Sequence, residues 1–222
     1  SMPNRVRRKM IYTGYLEREG AHKSPNADHQ TPFNRPYLLV TPGGGGDGEA
    51  MVDWVPRAYE SEAAPPNPAL LVFGPFMQQE KQLEFARRVS ELKYVEAITF
   101  EANIEPLIQG ASGVVAMGGY NTFCEILTFD KPALIIPRTV PRMEQFIRAD
   151  RAQELGLVRM LEDDGIRNDR DMATALRHLP QQNRPSDIIV PGLLDGLPNV
   201  KRLAKRLSSR RGQPLAAIAG YN

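Results

Sequence analysis

The sequence predicts an α/β protein built on a Rossmann-like parallel sheet with helices on both faces. Three observations carry this: short apolar runs alternate with helix-length stretches, most of the runs are continuously apolar, and glycines cluster where two of them end. A strand that is apolar at every position is buried on both faces, the condition of a parallel sheet covered by helices. In such sheets ligands bind beyond the carboxyl ends of the strands, where the strand order reverses.

The series starts at Tyr37. Residues 37–41 form the first apolar run, which ends in Pro-Gly-Gly-Gly-Gly-Asp-Gly and leads into a helical stretch to about Tyr59. Residues 69–74 are the next strand, with 78–92 as its helix. Strands at 95–100, 113–117 and 133–136 continue the pattern, separated by helices near 103–109, 122–129 and 143–155. A weaker strand at 157–161 precedes a helix at 169–178, and a last helix is expected over 197–209. Ahead of the series, Ser1 and Met2 read as an expression scar, 5–15 as a short connector strand, and 17–35 as a polar linker rich in Pro, Asn and His. Residues 1–36 are therefore scar, connector and linker, and residues 37–222 one domain.

Composition narrows the function classes. With 222 residues, 41% hydrophobic and 24% charged, the chain is large enough for one substantial core. A net charge of +2 gives no bulk reason to expect a nucleic-acid partner. The basic stretch 201–211 (KRLAKRLSSRR) reads first as a solvated helix face and second as a peripheral membrane contact of a full-length protein. The single cysteine, Cys124, cannot form an internal disulfide, fits a cytoplasmic location, and falls in a helix pattern where a packed core residue is expected. No run approaches the roughly 20 apolar residues that span a bilayer, and no signal-peptide pattern opens the chain. His22 and His29 lie in the linker with no Cys or acidic cluster beside them, so neither a metal nor another cofactor is expected.

Chemistry concentrates in the turns. The loop 43–48 lacks the Gly-Lys-Ser/Thr of a P-loop. Gly43, Gly45 and Gly48 match the spacing of a dinucleotide fingerprint, but a glycine run does so easily, and the candidate acids Glu60 and Glu62 lie in a polar loop. Glycines there also serve a tight turn with positive φ. Asp47 would repel a phosphate unless it points toward hydroxyls or solvent. Residues 114–151 say more. A strand runs into Gly118 and Gly119, a helix opens around Thr122 and Glu125, a second strand ends at Pro137, and Glu144 and Gln145 open another helix. Two helix starts therefore face one crevice, and unpaired N–H groups reinforced by the helix dipole suit a phosphate. Thr-x-x-Glu is also a capping box worth about 0.5–2 kcal/mol of stability, and Glu144 and Gln145 suit any first turn.

The order Gly-Gly-x-Asn-Thr-x-x-Glu (118–125), Pro-x-x-x-x-Pro (132–137), and Glu-Gln-x-x-Arg-Ala (144–149) resembles the donor-binding, C-terminal half of GT-B glycosyltransferases. The nearest groups by motif are the bacterial N-acetylglucosaminyltransferase of peptidoglycan-precursor synthesis, plant and animal UDP-sugar transferases, and bacterial predicted glycosyltransferases. The peptidoglycan enzyme has Gln-Gln where this chain has Glu144-Gln145, so the sugar does not carry over. The resemblance implies one half of a GT-B fold that binds a nucleotide sugar, UDP-sugar first, for transfer to an acceptor hydroxyl. It implies backbone contact with phosphate or sugar from Gly44 and Gly45, diphosphate contacts from Thr122 and the N–H groups beside it, with Gly118, Gly119 and Asn121 in the same turn, and ribose contact from Glu125. It gives the sugar hydroxyls to Glu144 and Gln145 and the base to Phe100 and the backbone of Glu101. Arg142 is the best-placed cation for phosphate, with Arg148 a structural ion-pair partner. The general base is expected in an N-terminal acceptor domain absent from these residues, so no catalytic residue is assigned, and the last helix packs back across the domain pair. Two alternatives share these features: a GT-B-shaped sugar-nucleotide epimerase, and a stand-alone binding subunit that needs a separate partner.

Overall fold

A computed structural model describes residues 3–18, 33–43, 46–101 and 103–209. In chain order its elements are α1 (Asn4–Arg7), β1 (Leu38–Thr41), α2 (Glu49–Glu60), β2 (Ala69–Val72), α3 (Gln79–Ser90), β3 (Val95–Ile98), α4 (Glu105–Gly110) and β4 (Gly113–Ala116). These are followed by α5 (Tyr120–Thr128), β5 (Ala133–Ile135), α6 (Glu144–Glu154), β6 (Arg159–Met160), α7 (Asp169–His178) and α8 (Gly196–Ser209). The chain divides into a larger unit, Glu19–Ile189, and a smaller one that combines Ser1–Arg18 with Val190–Asn222.

The larger unit carries a six-stranded sheet in the order β3-β2-β1-β4-β5-β6, parallel at every pairing. The four inner strands are buried at every residue, while the edge strands β3 and β6 are only partly buried. Period-two alternation then sorts their side chains. Leu38, Val40, Leu71, Val115 and Leu134 join α2, α3 and α7 in one core cluster, with Trp54 and Phe73 among its largest buried side chains. The intervening residues Leu39, Leu70, Val114 and Ile135, equally buried, face the opposite side of the sheet.

Polar bonds tie the layers at their ends. Trp54 Nε1 donates to the carbonyl of Asn168 at 3.0 Å, and the Asn168 side chain accepts from Arg170 N at 2.9 Å to cap α7. The last carbonyls of α4 have no intrahelical partner. Lys131 Nζ reaches over and donates to Gln109 O and Ala111 O at 2.7 and 2.9 Å; burial pulls its pKa below the ordinary lysine value. Buried Tyr37 donates its hydroxyl to Leu107 O at 2.7 Å, and burial pushes the phenol up to about 12.

Several expectations shift. Instead of a strand within 5–15, Asn4–Arg7 form one helical turn, with Val6 N and Arg7 N donating to Pro3 O. The turn satisfies its own backbone locally, while Tyr15 N donates to Leu193 O at 2.7 Å. Beside that contact is an antiparallel bridge between Leu16 and Asp195, inside the smaller unit, where Asn199 Nδ2 also donates to Thr13 O at 2.8 Å. The helix expected from 103 begins at Glu105, because Pro106 suits only a first turn. Cys124 is buried in α5, as expected. His22 and His29 lie outside the described residues. No helix among the described residues is long and apolar enough to cross a membrane.

Candidate functional site

The strand order reverses between β1 and β4, which are neighbours in the sheet although β2 and β3 intervene in sequence. At their carboxyl ends the two glycine turns meet: a Cβ added at Gly43 would lie 3.5 Å from Thr122 Oγ1. Three adjacent strands, β1, β4 and β5, lead into α2, α5 and α6, so three helix N-termini open on this edge. The N–H groups of a helix's first turn have no intrahelical acceptor, and with the helix dipoles they give the crevice a positive character.

Two glycines make this convergence possible. Gly48 precedes α2, and a Cβ there would fall 2.1 Å from Pro42 Cβ. Gly118 has φ +77°, and an added Cβ would meet Ile135 Cγ2 at 2.8 Å. At Gly119, by contrast, an added Cβ would meet nothing within 4 Å, so the crevice is open beside it. Gly44 and Gly45 lie outside the described residues.

The capping box is not formed. Helix α5 begins at Tyr120 with Gly119 at its N-cap and no side-chain cap, so Thr122 is already the third helical residue and Glu125 lies in the second turn. The left-handed backbone at Gly118 admits the helix three residues earlier than the Thr-x-x-Glu pattern suggests. Thr122 and Glu125 are partly exposed and Asn121 is exposed. The capping explanation of Thr122 and Glu125 therefore falls away.

Arg148 ties the second helix to the first turn. Its side chain is only 10% exposed. Nη1 donates to Gly118 O at 2.8 Å, Nη2 pairs with the Glu144 carboxylate, and the guanidinium lies 5.6 Å from the centroid of the Tyr120 ring. The Arg148 hydrogen bond and charge hold the Glu144 carboxyl below the usual carboxylate range. This agrees with Arg148 as a structural ion-pair partner. Gln145 Oε1 accepts from Arg138 N at 3.2 Å, which fixes the residue that follows Pro137.

Other residues stand differently from expectation or escaped it. Asp47 forms an ion pair with Arg138, linking the glycine turn after β1 to the turn after β5. Arg142, the cation favoured by sequence, is exposed just ahead of the α6 N-cap, Met143. Phe100 is 55% exposed beyond β3, two strands from β1 and so roughly 10 Å out along the same edge. Glu101 beside it accepts from Asn103 N at 2.8 Å. Phe76, which no motif marked, is 73% exposed next to Gly46, where an added Cβ would lie 3.3 Å from its carbonyl oxygen. A concave space of about 750 Å³ lies elsewhere, against edge strand β6, and none of the sequence-predicted site residues lines it. The described residues contain no group of three or more His, Cys, Asp or Glu able to hold a metal ion.

Comparison with known proteins gives the same picture. The model of the glycosyltransferase family 28 C-terminal domain matches residues 43–184, well over half of the chain. No curated protein matches it. Among solved structures, the calicheamicin glycosyltransferase CalG4 superposes with a TM-score of 0.59 at 17% identity, over 83% of this chain and 45% of that one. MurG of Acinetobacter baumannii gives 0.59 at 14% identity, over 82% of this chain and 54% of its own. The glycosyltransferase VinC in complex with dTDP gives 0.50 at 16% identity, over 92% and 45%. At these identities the likeness is one of fold, and the chain spans about half the length of these structures.

Proposed function

We propose, since the chain belongs to the family of glycosyltransferase family 28 C-terminal domains, that its crevice binds a nucleoside-diphosphate sugar, a UDP-sugar in first place, for transfer to an acceptor hydroxyl. The observation that carries this reading is the meeting of the two glycine turns at the β1/β4 switch, with three helix N-termini opening on one edge. Backbone N–H groups aimed at one place stabilise a departing diphosphate without a metal, because they are fixed before charge develops there. That VinC, similar in fold, was solved in complex with dTDP supports a nucleotide as the ligand class.

The residues take roles along the edge. Gly118, Gly119 and Thr122, with Gly44, Gly45 and Asn121, bind the diphosphate. Glu125, one helical turn in, accepts from both ribose hydroxyls. Glu144 and Gln145, at the start of α6, receive the sugar hydroxyls; Glu144 keeps acceptor capacity on the oxygen that Arg148 leaves free. Phe100 and the backbone of Glu101 take the base, and Arg142 adds a cation near the phosphates. The general base belongs to an acceptor domain outside these residues, and the working location is the cytoplasm.

Calorimetric titration with UDP-, dTDP- and GDP-sugars in EDTA tests this. One nucleotide class is expected to bind with chelator present, while the 222-residue chain alone transfers no sugar. Absence of binding to all three overturns the donor reading, and robust transfer places acceptor site and base within the chain. A second expectation separates sugar from phosphate contacts. Gln145→Ala should weaken the intact nucleotide sugar roughly ten-fold and the bare diphosphate by less than about two-fold, one hydrogen bond's worth of discrimination. Equal losses for the two ligands refute the assignment of Gln145.

A further inference from the structure

We propose that Asp47 is an internal stand-in for a donor phosphate: it occupies Arg138 in the free protein and yields that guanidinium to the incoming diphosphate. This deepens the donor-binding reading and rests on it.

The placement comes first. Asp47 lies in the turn after β1 and Arg138 in the turn after β5, with β4 and the start of α5 between them. Their ion pair therefore spans the crevice mouth, about 10 Å across two strand spacings. An acid among helix N-termini and glycine turns is in the position that a phosphate would take, and a carboxylate satisfies a guanidinium with the same paired acceptor geometry as a phosphate. Arg138 is held ready for the exchange. Its backbone N–H is bound by Gln145 Oε1, while its Nε is buried and meets no acceptor among the described residues, so the guanidinium has donor capacity that Asp47 does not use. The pair itself is easily opened. Its side chains are 35% and 40% exposed, and solvent screening keeps such pairs weak. Once a diphosphate arrives, Asp47 becomes the poorer partner, with one charge against the two or more of the ligand, and repulsion turns it away from the phosphates.

A latch that merely joins two loops makes the opposite prediction for binding. Asp47→Asn keeps the shape and removes the competing charge. Titrated with UDP in low salt, D47N is expected to bind roughly two- to ten-fold more tightly than the unmodified chain, the range set by a surface ion pair. The gain should shrink in high salt as screening removes it. R138Q should weaken UDP about ten-fold, and in its background D47N should gain much less. Uridine, which has no phosphate, should bind all variants alike. Thermal melting checks that each variant is folded, and if R138Q does not fold, the D47N comparison decides alone. UDP binding by the unmodified chain with D47N unchanged or weaker overturns the stand-in and leaves the donor reading intact. A chain that binds neither UDP, dTDP nor GDP overturns both.

Discussion

Replacing Glu125 with alanine is expected to weaken nucleotide binding roughly 10- to 150-fold, the loss of charge-assisted hydrogen bonds worth about 1.5–3 kcal/mol. The carboxylate sits in the second turn of α5, one turn beyond the residues nearest the glycine turn, where it can accept from two adjacent hydroxyls. Because no capping box forms, the cap's contribution to stability is not at stake. A partly exposed helical position costs about 1 kcal/mol or less on substitution, so the melting temperature should move only a few degrees. Affinity and melting should be measured on the same preparation. A fall in melting temperature with unchanged nucleotide affinity would make Glu125 a structural residue and remove it from the site.

Arg148→Met is expected to damage fold and site together. Methionine retains much of the stem's packing but loses the hydrogen bond to Gly118 O, the pairing with Glu144 and the contact with the Tyr120 ring. The Glu144 pair contributes little, since that carboxylate is 59% exposed. The nearly buried hydrogen bond from a charged group to a carbonyl is worth more, about 1.5–3 kcal/mol, and its loss leaves Gly118 O without that partner. A melting temperature lower by roughly 3–12 °C follows for a chain of this size. Nucleotide affinity should fall as well, because Gly118 is then free to leave the left-handed geometry that aims α5 at the crevice. Acid should mimic part of this. Arg148 depresses the Glu144 pKa, so that pair's small contribution is complete at neutral pH and fades as pH falls through the lowered value. Arg148→Met should abolish that fraction of the acid sensitivity. Unchanged melting and affinity would show that Gly118 and α6 hold their places without Arg148.

How much of this was legible in the sequence depends on the range of the interaction. Leu38–Thr41, Ala69–Val72, Gly113–Ala116 and Ala133–Ile135 announced themselves, because strands buried on both faces are apolar at every position. Edge strand β6 was weaker in the sequence and is only two residues long, and of these Arg159 is exposed and Met160 half-buried. The connector at 5–15 misled for a related reason: its apolar residues suggest a strand, but among the described residues its strand-like pairing is one isolated bridge just beyond it, Leu16 with Asp195. At α5 a local rule lost to a tertiary one. Thr122 and Glu125 have the spacing of a cap, yet the positive φ at Gly118, beside Ile135, starts the helix at Tyr120.

The sequence by itself determined the class of the fold, the glycine turns at two strand ends and the concentration of polar residues between 118 and 145, because side-chain periodicity and backbone preference act over a few residues. The tertiary structure decided the strand order and, with it, that the turns after β1 and β4 would touch. It also decided that Asp47 would meet Arg138, 91 residues away, and that Arg148 rather than a helix cap would secure Gly118. Such contacts join loops that only the assembled sheet brings together, and a pairing across that distance leaves no periodic trace in the chain.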